Sequence, residues 1–384
     1  AATHGFLPLF ERDSSIFSQI QLAYDTHKKY FKKKPKGIWL PECAYRPKKK
    51  NGNLLRESID YWLHNSGIEY FFVDSHGILT AEIIESKNEL GLNTNFGYNL
   101  ETGVSVFGRN INTSRQVWDA QIGYPGNGYY REFHKKDYDS GLQYWRITDK
   151  SIDSEHKELY DIERAQENVK LDANHFVSSL LKEAATFSSK YNEKGIIVSP
   201  YDFELFGHWW MEGIAWLKRV FELIHRENDI KMISFSAYLS KNKDKFSIIK
   251  MKESSWGEGG HFQVWKNPEH GWMWPYINSS MAEFENVLAL YPNPNQSQQR
   301  TLKQIGRELL LMEGSDWPFL LYTKQAKDYA NQRFHHHHQR FNKLIWAAKD
   351  FNDKSRLSKS ELEEIESIDS CFQDINIDYF RKID

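Results

Sequence analysis

The chain has 384 residues, with 50 Lys plus Arg against 52 Asp plus Glu and a net charge of −2. That balance leaves no electrostatic case for nucleic acid or an anionic membrane surface, and no apolar run approaches the roughly 18 residues of a membrane helix. Cys43 and Cys371, the two cysteines, stand at opposite ends of the chain. They form no disulfide framework and point to a reducing compartment. The length suits two domains, or one large barrel with an appendage. No basic-then-apolar leader opens the sequence. It starts Ala1-Ala2-Thr3-His4 without an initiator methionine, so the expectation is a piece of a longer protein.

Asp13-Ser14-Ser15 starts a helix with Ile16, Ile20 and Ala23 at helical spacing, and Lys32 to Lys34 with Pro35 end it. A strand at 37–41 runs into Glu42. Leu55, Ile59, Trp62 and Leu63 mark a second amphipathic helix closed by Gly67, and a strand at 68–73 leads to Asp74-Ser75-His76. This alternation is the rhythm of a parallel sheet. Residues 82–150, rich in Asn, Gly and Tyr with one short strand at 104–107, break it and read as a long functional loop or insertion. Next come a helix around 161–190 with Phe176, Leu180 and Leu181 on one face, and a strand at 195–199. A helix at about 209–226 follows, with Ile214, Leu217, Phe221 and Ile224 on its stripe. From about 278 only helices are predicted, at 280–291, 298–313, 322–349 and 359–369. The expected division is therefore 1–277, with an insertion at about 82–150, followed by an all-helical part, 278–384. No internal repeat is visible.

Gly37-Ile38-Trp39-Leu40-Pro41-Glu42 and Gly195-Ile196-Ile197-Val198-Ser199-Pro200-Tyr201-Asp202 read alike. Each is a short apolar run closed by proline, with a carboxylate just beyond, which is where parallel α/β folds place catalytic groups. Two such carboxylates, about 5–5.5 Å apart in a retaining enzyme, are what glycosidic-bond chemistry requires. Aromatic residues make up 15% of the chain, with 13 Trp and 20 Tyr, more than a core needs, and flat rings suit sugar faces.

Other clusters carry less. Glu204 and His208 stand at i, i+4, but Gly207 interrupts the turn and no further His or Cys pair is near, so no metal site is expected. Ser255-Trp256-Gly257-Glu258-Gly259-Gly260-His261 lacks the ending of a phosphate loop. Its glycines suit either close backbone approach to a ligand, with Trp256 and Trp265 as walls, or a tight turn over core tryptophans. His335 to His338 point in four directions on a helix and cannot share one ion, so a solvated face is expected. Lys48 to Lys50 read as a solvated turn before Asn51-Gly52.

These words resemble glycoside hydrolase family 57, and within it the 1,4-α-glucan branching group. The matching blocks are Ala2-Thr3-His4-Gly5-Phe6-Leu7-Pro8, Trp39 to Tyr45, Tyr201-Asp202 with Glu204 to Trp210, and Ser255 to Gly260 with Gln263-Val264-Trp265. Matches to the branching group continue through Val106 to Arg109, Ser114 to Trp118, Gly123 to Gly126, Tyr130 to Phe133, Ser315 to Phe319 and Gln325-Ala326. The resemblance implies an α/β fold, an incomplete (β/α)7 barrel followed by an all-α C-terminal domain. It implies that Glu42 attacks the anomeric carbon and that Asp202 serves as proton donor and then base. Arg109, Gly126, Trp256, Asp316 and Gln325 match the family's substrate contacts. Trp118, Trp265 and His4 are further candidates for the same groove, and Tyr98 for a lid.

The implied reaction cleaves α-1,4 links of amylose or a glycogen-like polymer by double displacement and transfers the chain to a 6-hydroxyl. It needs no metal or organic cofactor, no nucleic acid and no membrane, and is set in the cytoplasm. The oligomeric state stays open, with a monomer the default. The alternatives are a family α-amylase or 4-α-glucanotransferase, or an inactive glucan-binding fragment. Two departures stand out. The family's first, histidine-bearing strand has no counterpart here, so the expected barrel has unpaired edges and the piece alone is expected to be unstable or inactive. Ile214 stands where many relatives carry proline.

Overall fold

The computed structural model describes residues 1–51, 54–119 and 121–383. Its strands are β1 (Gly37–Ile38), β2 (Lys49–Asn51), β3 (Leu54–Arg56), β4 (Tyr70–Val73), β5 (Glu82–Glu85), β6 (Gly97–Asn99), β7 (Ser105–Gly108) and β8 (Ile248–Lys250). Its first helices are α1 (Asp13–Phe31), α2 (Ile59–Asn65), α3 (Ser75–Leu79), α4 (Ile111–Trp118), α5 (Ile162–Tyr191), α6 (Gly213–Arg226) and α7 (Phe235–Asn242). The helical run that follows comprises α8 (Met273–Leu290), α9 (Gln296–Met312), α10 (Asp316–Thr323), α11 (Lys327–Ala348) and α12 (Lys359–Ile368).

Six strands form one mixed sheet in the order β1-β4-β7-β6-β8-β5, and β2 pairs with β3 in a separate antiparallel hairpin. β1 runs parallel to β4 and β6 parallel to β8, whereas β5 lies antiparallel to β8. The expected α/β class with a helical C-terminal region is what forms. β7 is buried along its whole length and reads as apolar, as a central strand should. β5 is exposed throughout, and its flanking Glu82 and Glu85 suit an edge, where charge discourages pairing with another chain. No helix is long and apolar enough to cross a membrane among the described residues.

The chain divides into two compact units. The first comprises Ala1–Glu85, Tyr98–Val106 and Ser247–Asp384. It is held by apolar stripes such as Ile16 and Ile20 on α1 and Leu302, Ile305 and Leu309 on α9, all buried. Each fully buried side chain of this kind contributes about 1.5–3 kcal/mol. Capping boxes at Asn295 and Ser358 fix where α9 and α12 begin. The second unit comprises Ser86–Gly97 and Phe107–Phe246. Its core joins Ala165, Val169, Phe176 and Leu180 of α5 to Trp216 and Val220 of α6, with Trp210 beside them.

The structure corrects several sequence expectations. Residues 195–199 form no strand: Ile196 N–H donates to Asn95 O and Val198 O accepts from Asn110 N–H, each at 2.8 Å, without a continuous ladder. Residues 82–150 are not one loop but contain β5, β6, β7 and α4. The helix expected at 322–349 is two, because Lys324 turns left-handed (φ 60°) and Ala326 is not helical. On α6, Ile214 and Phe221 are exposed, and Trp216 and Val220 face the core instead. Lys49 and Lys50 belong to β2 and not to a turn, and Gly52 lies outside the described residues.

Candidate active site

Glu42 follows β1 in a tight turn over Pro41–Cys43. Both Glu42 (φ 60°) and Cys43 (φ 50°) adopt left-handed backbone, and so does His4 (φ 56°). Non-glycine residues held this way cost of order 1–3 kcal/mol each and persist only where the surroundings enforce them. Here the enforcement is visible. Trp256 N–H donates to Glu42 O (3.0 Å), and Tyr45 and Ser254 exchange backbone hydrogen bonds of 2.8 and 3.1 Å. The strain aims the Glu42 side chain, which is 13% exposed, at three groups. Trp256 Nε1–H donates to Oε2 at 2.6 Å, Ser315 Oγ–H donates to Oε1 at 3.1 Å, and His4 Nε2 lies 3.4 Å from Oε1. Both carboxylate oxygens are thus fixed in direction, while part of the group stays open to an incoming atom. Trp39 meets Trp256 edge-on at 5.2 Å, which sets the plane of that indole.

The structure therefore brings together Glu42, Trp256 and His4 of the sequence candidates. Asp316 is the first residue of α10, adjacent to Ser315, and is exposed; Gln325 is exposed in the turn between α10 and α11. Ser315 itself was missed; its one signal was its place beside Asp316. Two candidates are corrected. Tyr98 sits within β6 and is 1% exposed, so it is a core ring and not a lid. Trp265 stacks on Phe6 at 4.4 Å and is equally buried, so it offers no open face to a sugar. Its neighbour Gly257 is needed for packing, since a Cβ there would lie 2.7 Å from the Trp265 ring. Of the two readings of the glycine-rich loop, this favours the tight turn. Gly259 and Gly260 have φ 69° and 77°, and Ser255 N–H donates to Gly260 O at 3.1 Å.

In the second unit, Asp202 precedes a single 3-10 turn, Phe203–Leu205, and is half-buried. The segment bearing it is tied to α4. Tyr201 Oη–H donates to Thr113 O at 3.0 Å, and Ser199 Oγ–H donates to Thr113 Oγ1 at 2.7 Å. Burial raises the Tyr201 phenol well above its ordinary value, opposed by hydrogen bonds and by the Arg109 cation. Arg109 and Gly126 are half-buried, and Trp118, at the end of α4, is exposed. Glu204 and His208 do not share a helix, since Gly207 turns left-handed (φ 96°) between them. Trp209 packs against Phe133 at 4.4 Å with the rings tilted and remains partly open, whereas Trp210 is buried in the core.

The histidine tract differs from expectation at one position. His337 is 0% exposed; its Nδ1 lies 2.9 Å from Glu308 Oε2 and 3.5 Å from Asp369 Oδ2. These three could hold an ion by distance alone. Arg340 Nη1–H donates to Asp369 Oδ2 at 2.5 Å, and Arg333 Nη2–H lies 3.0 Å from His337 Nε2. The two guanidinium groups thus supply the positive charge, and the cluster closes as a hydrogen-bonded salt bridge.

A mixed α/β sheet that presents an oriented glutamate, continued by an all-helical region, defines the class. Comparison with known proteins then specifies it. Residues 1–252 match the family model described as glycosyl hydrolase family 57, and residues 277–380 match that of the 1,4-alpha-glucan branching enzyme C-terminal region. The chain belongs to glycosyl hydrolase family 57. It is 39% identical to a 1,4-alpha-glucan branching enzyme of Thermococcus kodakarensis, over 98% of this chain and 57% of that protein. It is similar to the crystal structure of a GH57-type branching enzyme from Pyrococcus horikoshii, with 41% identity and TM-score 0.93, over 100% of this chain and 71% of that one. It is also similar to an alpha-amylase, AmyC, from Thermotoga maritima, with 31% identity and TM-score 0.85, over 100% of this chain and 72% of that one. The chain thus spans under two thirds of the Thermococcus relative's full length.

Proposed function

We propose that this chain carries the catalytic part of a 1,4-α-glucan branching enzyme. The carrying observation is Glu42, a carboxylate on a strained turn with an indole N–H and a serine hydroxyl donating to its two oxygens. In this reading Glu42 attacks the anomeric carbon of an α-1,4-linked glucan while Asp202 protonates the departing oxygen. A 6-hydroxyl of an acceptor chain then displaces Glu42, with Asp202 taking its proton, and an α-1,6 branch results. Arg109, Gly126, Trp256, Asp316 and Gln325 contact the glucan. Residues 1–277, with the 82–150 insertion, form the catalytic part and 278–384 the helical part, a division supported by family matches at 1–252 and 277–380. The reaction belongs to glycogen-like polymer synthesis in the cytoplasm, a setting consistent with Cys43 and Cys371 forming no disulfide.

The test is proton NMR of amylose incubated with the full-length protein. New α-1,6 signals, abolished by Glu42→Gln, are the expected result. The likeness to the Thermotoga alpha-amylase supports hydrolysis as a second reading, and new reducing ends without branch signals would establish it. A parent that makes no product, yet binds glucan as tightly as Glu42→Gln, would leave only a binding role.

A further inference from the structure

Two of the three side chains against Glu42, His4 and Ser315, come from segments more than 300 residues apart that are fastened to one another. Ser315 N–H donates to His4 O at 3.1 Å, and Gly5 bridges Gly314. Behind them both segments meet a single amide, that of Gln19 on α1. Gln19 Oε1 accepts from Thr3 N–H at 3.0 Å, and its Nε2–H2 donates to Thr3 Oγ1 at 2.8 Å and to Glu313 Oε2 at 2.7 Å. Gln19 O also accepts from Ala2 N–H at 2.9 Å. Glu313 is 0% exposed, and its Oε1 makes no hydrogen bond of good geometry, although the Ser15 hydroxyl faces the carboxyl. A carboxyl so placed contributes nothing to solubility, and an apolar side chain would pack there without stranding an oxygen. Its position explains it: one residue before Gly314 and two before Ser315, it ties the serine-bearing segment to the amide that also clamps the segment bearing His4.

We propose that Glu313 is a positioning residue for Glu42, acting through Ser315 and, by way of Gln19 and Thr3, through His4. The proposal rests on the reading of Glu42 as nucleophile. Burial pushes the Glu313 carboxyl up to about 8, opposed by Gln19 and Ser15, both neutral groups of α1. Burial thus favours the neutral form of this acid, whose Oε2 accepts from Gln19 Nε2–H2. Glutamine reproduces that neutral acceptor; leucine fills the space without one.

The test uses the full-length protein with Glu313→Gln and Glu313→Leu, read in two ways. Steady-state transfer on amylose is expected to show Glu313→Leu lowering kcat by about tenfold or more with KM within about twofold, and Glu313→Gln restoring it to within about threefold of the parent. Fluorine NMR of 5-fluorotryptophan protein, with the Trp256 resonance assigned through Trp256→Phe, is expected to show that resonance shifted in Glu313→Leu and unmoved in Glu313→Gln. Parental kcat or an unmoved Trp256 resonance in folded Glu313→Leu overturns the proposal. Where that variant does not fold, Gln19→Leu cuts the same tether from α1 and is judged by the same resonance. A parent that turns over no glucan defeats the nucleophile reading, and the resonance still decides whether the tether sets the Glu42 pocket.

Discussion

Replacing Glu313 by glutamine should change how stability depends on pH, by an amount the burial of this carboxyl sets. In the unfolded chain the carboxyl ionises at its ordinary value of 4.5, whereas in the folded protein burial holds the proton until about pH 8. Between those values the folded state carries a proton that the unfolded state has released, so stability falls as pH rises, by about 1.4 kcal/mol per unit. The contribution is flat below the lower value and flat again above the higher one. Across the whole window it amounts to about 5 kcal/mol as an upper bound, because relaxation of the buried site lowers the desolvation cost. Glutamine cannot ionise and lacks this slope. Urea unfolding of parent and variant at pH 5, 6.5 and 8 isolates the effect, since every other group cancels in the difference. The variant should gain on the parent steadily through that range. A difference that stays constant from pH 5 to 8 would mean that Glu313 is ionised in the folded protein, and the reasoning would fail.

Trp256→Phe keeps the ring but removes the donor to Glu42 Oε2, a bond to a charged group worth about 1.5–3 kcal/mol. Initial-rate kinetics on amylose should show kcat/KM reduced by about 10- to 150-fold. Trp216→Ala empties the centre of the second unit's core, where Trp216 meets Phe176 at 4.9 Å and Trp210 at 5.2 Å. Denaturant unfolding should register a loss of about 3–5 kcal/mol. His337→Leu leaves Glu308 Oε2 without its His337 partner, with only Gln304 still donating to Oε1, and should cost about 1–3 kcal/mol in the same assay. Chelator should leave the parent's melting temperature unchanged, because the cluster is neutralised by arginine; a fall on adding chelator would restore the metal reading.

Much of the fold was legible because the apolar periods of α1, α5 and the C-terminal helices are long enough to average out local exceptions. Phe176 and Leu180 face the core as their spacing required. The short strands at β1, β4 and β7 also form, but two other readings failed for physical reasons. Ile196-Ile197-Val198 has strand composition, yet its bonds run to Asn95 and Asn110 singly, and composition says nothing about whether a neighbour offers a continuous ladder. On α6 Leu217 and Ile224 of the stripe at 214, 217, 221 and 224 do pack against the core, but the helix is rotated so that Trp216 and Val220 take the buried centre and Ile214 and Phe221 are left exposed. Four consecutive histidines on a packed helix point four ways, and one of those ways is inward. The inward one is His337, and it found Glu308.

At the site, Glu42 stood out because proline closes the apolar run before it. Its partners were harder to foresee. Ser315 donates across 273 positions of sequence, and only its place beside Asp316 distinguishes it from any other serine at the start of a helix. Three left-handed residues, His4, Glu42 and Cys43, bear no mark in composition, since none is glycine or asparagine. Their conformation is imposed by tertiary bonds, which a reading of one segment at a time does not contain.

The backbone lacing between residues 42–45 and 254–256 has a mechanical outcome. Glutamate and indole are mounted on one frame, so neither can swing without unfastening the other. Any rearrangement of this pocket must therefore either carry both groups together or break these backbone bonds. Freedom to move is thereby left to the segments around the frame, and the carboxylate and its indole partner shift as one piece or not at all.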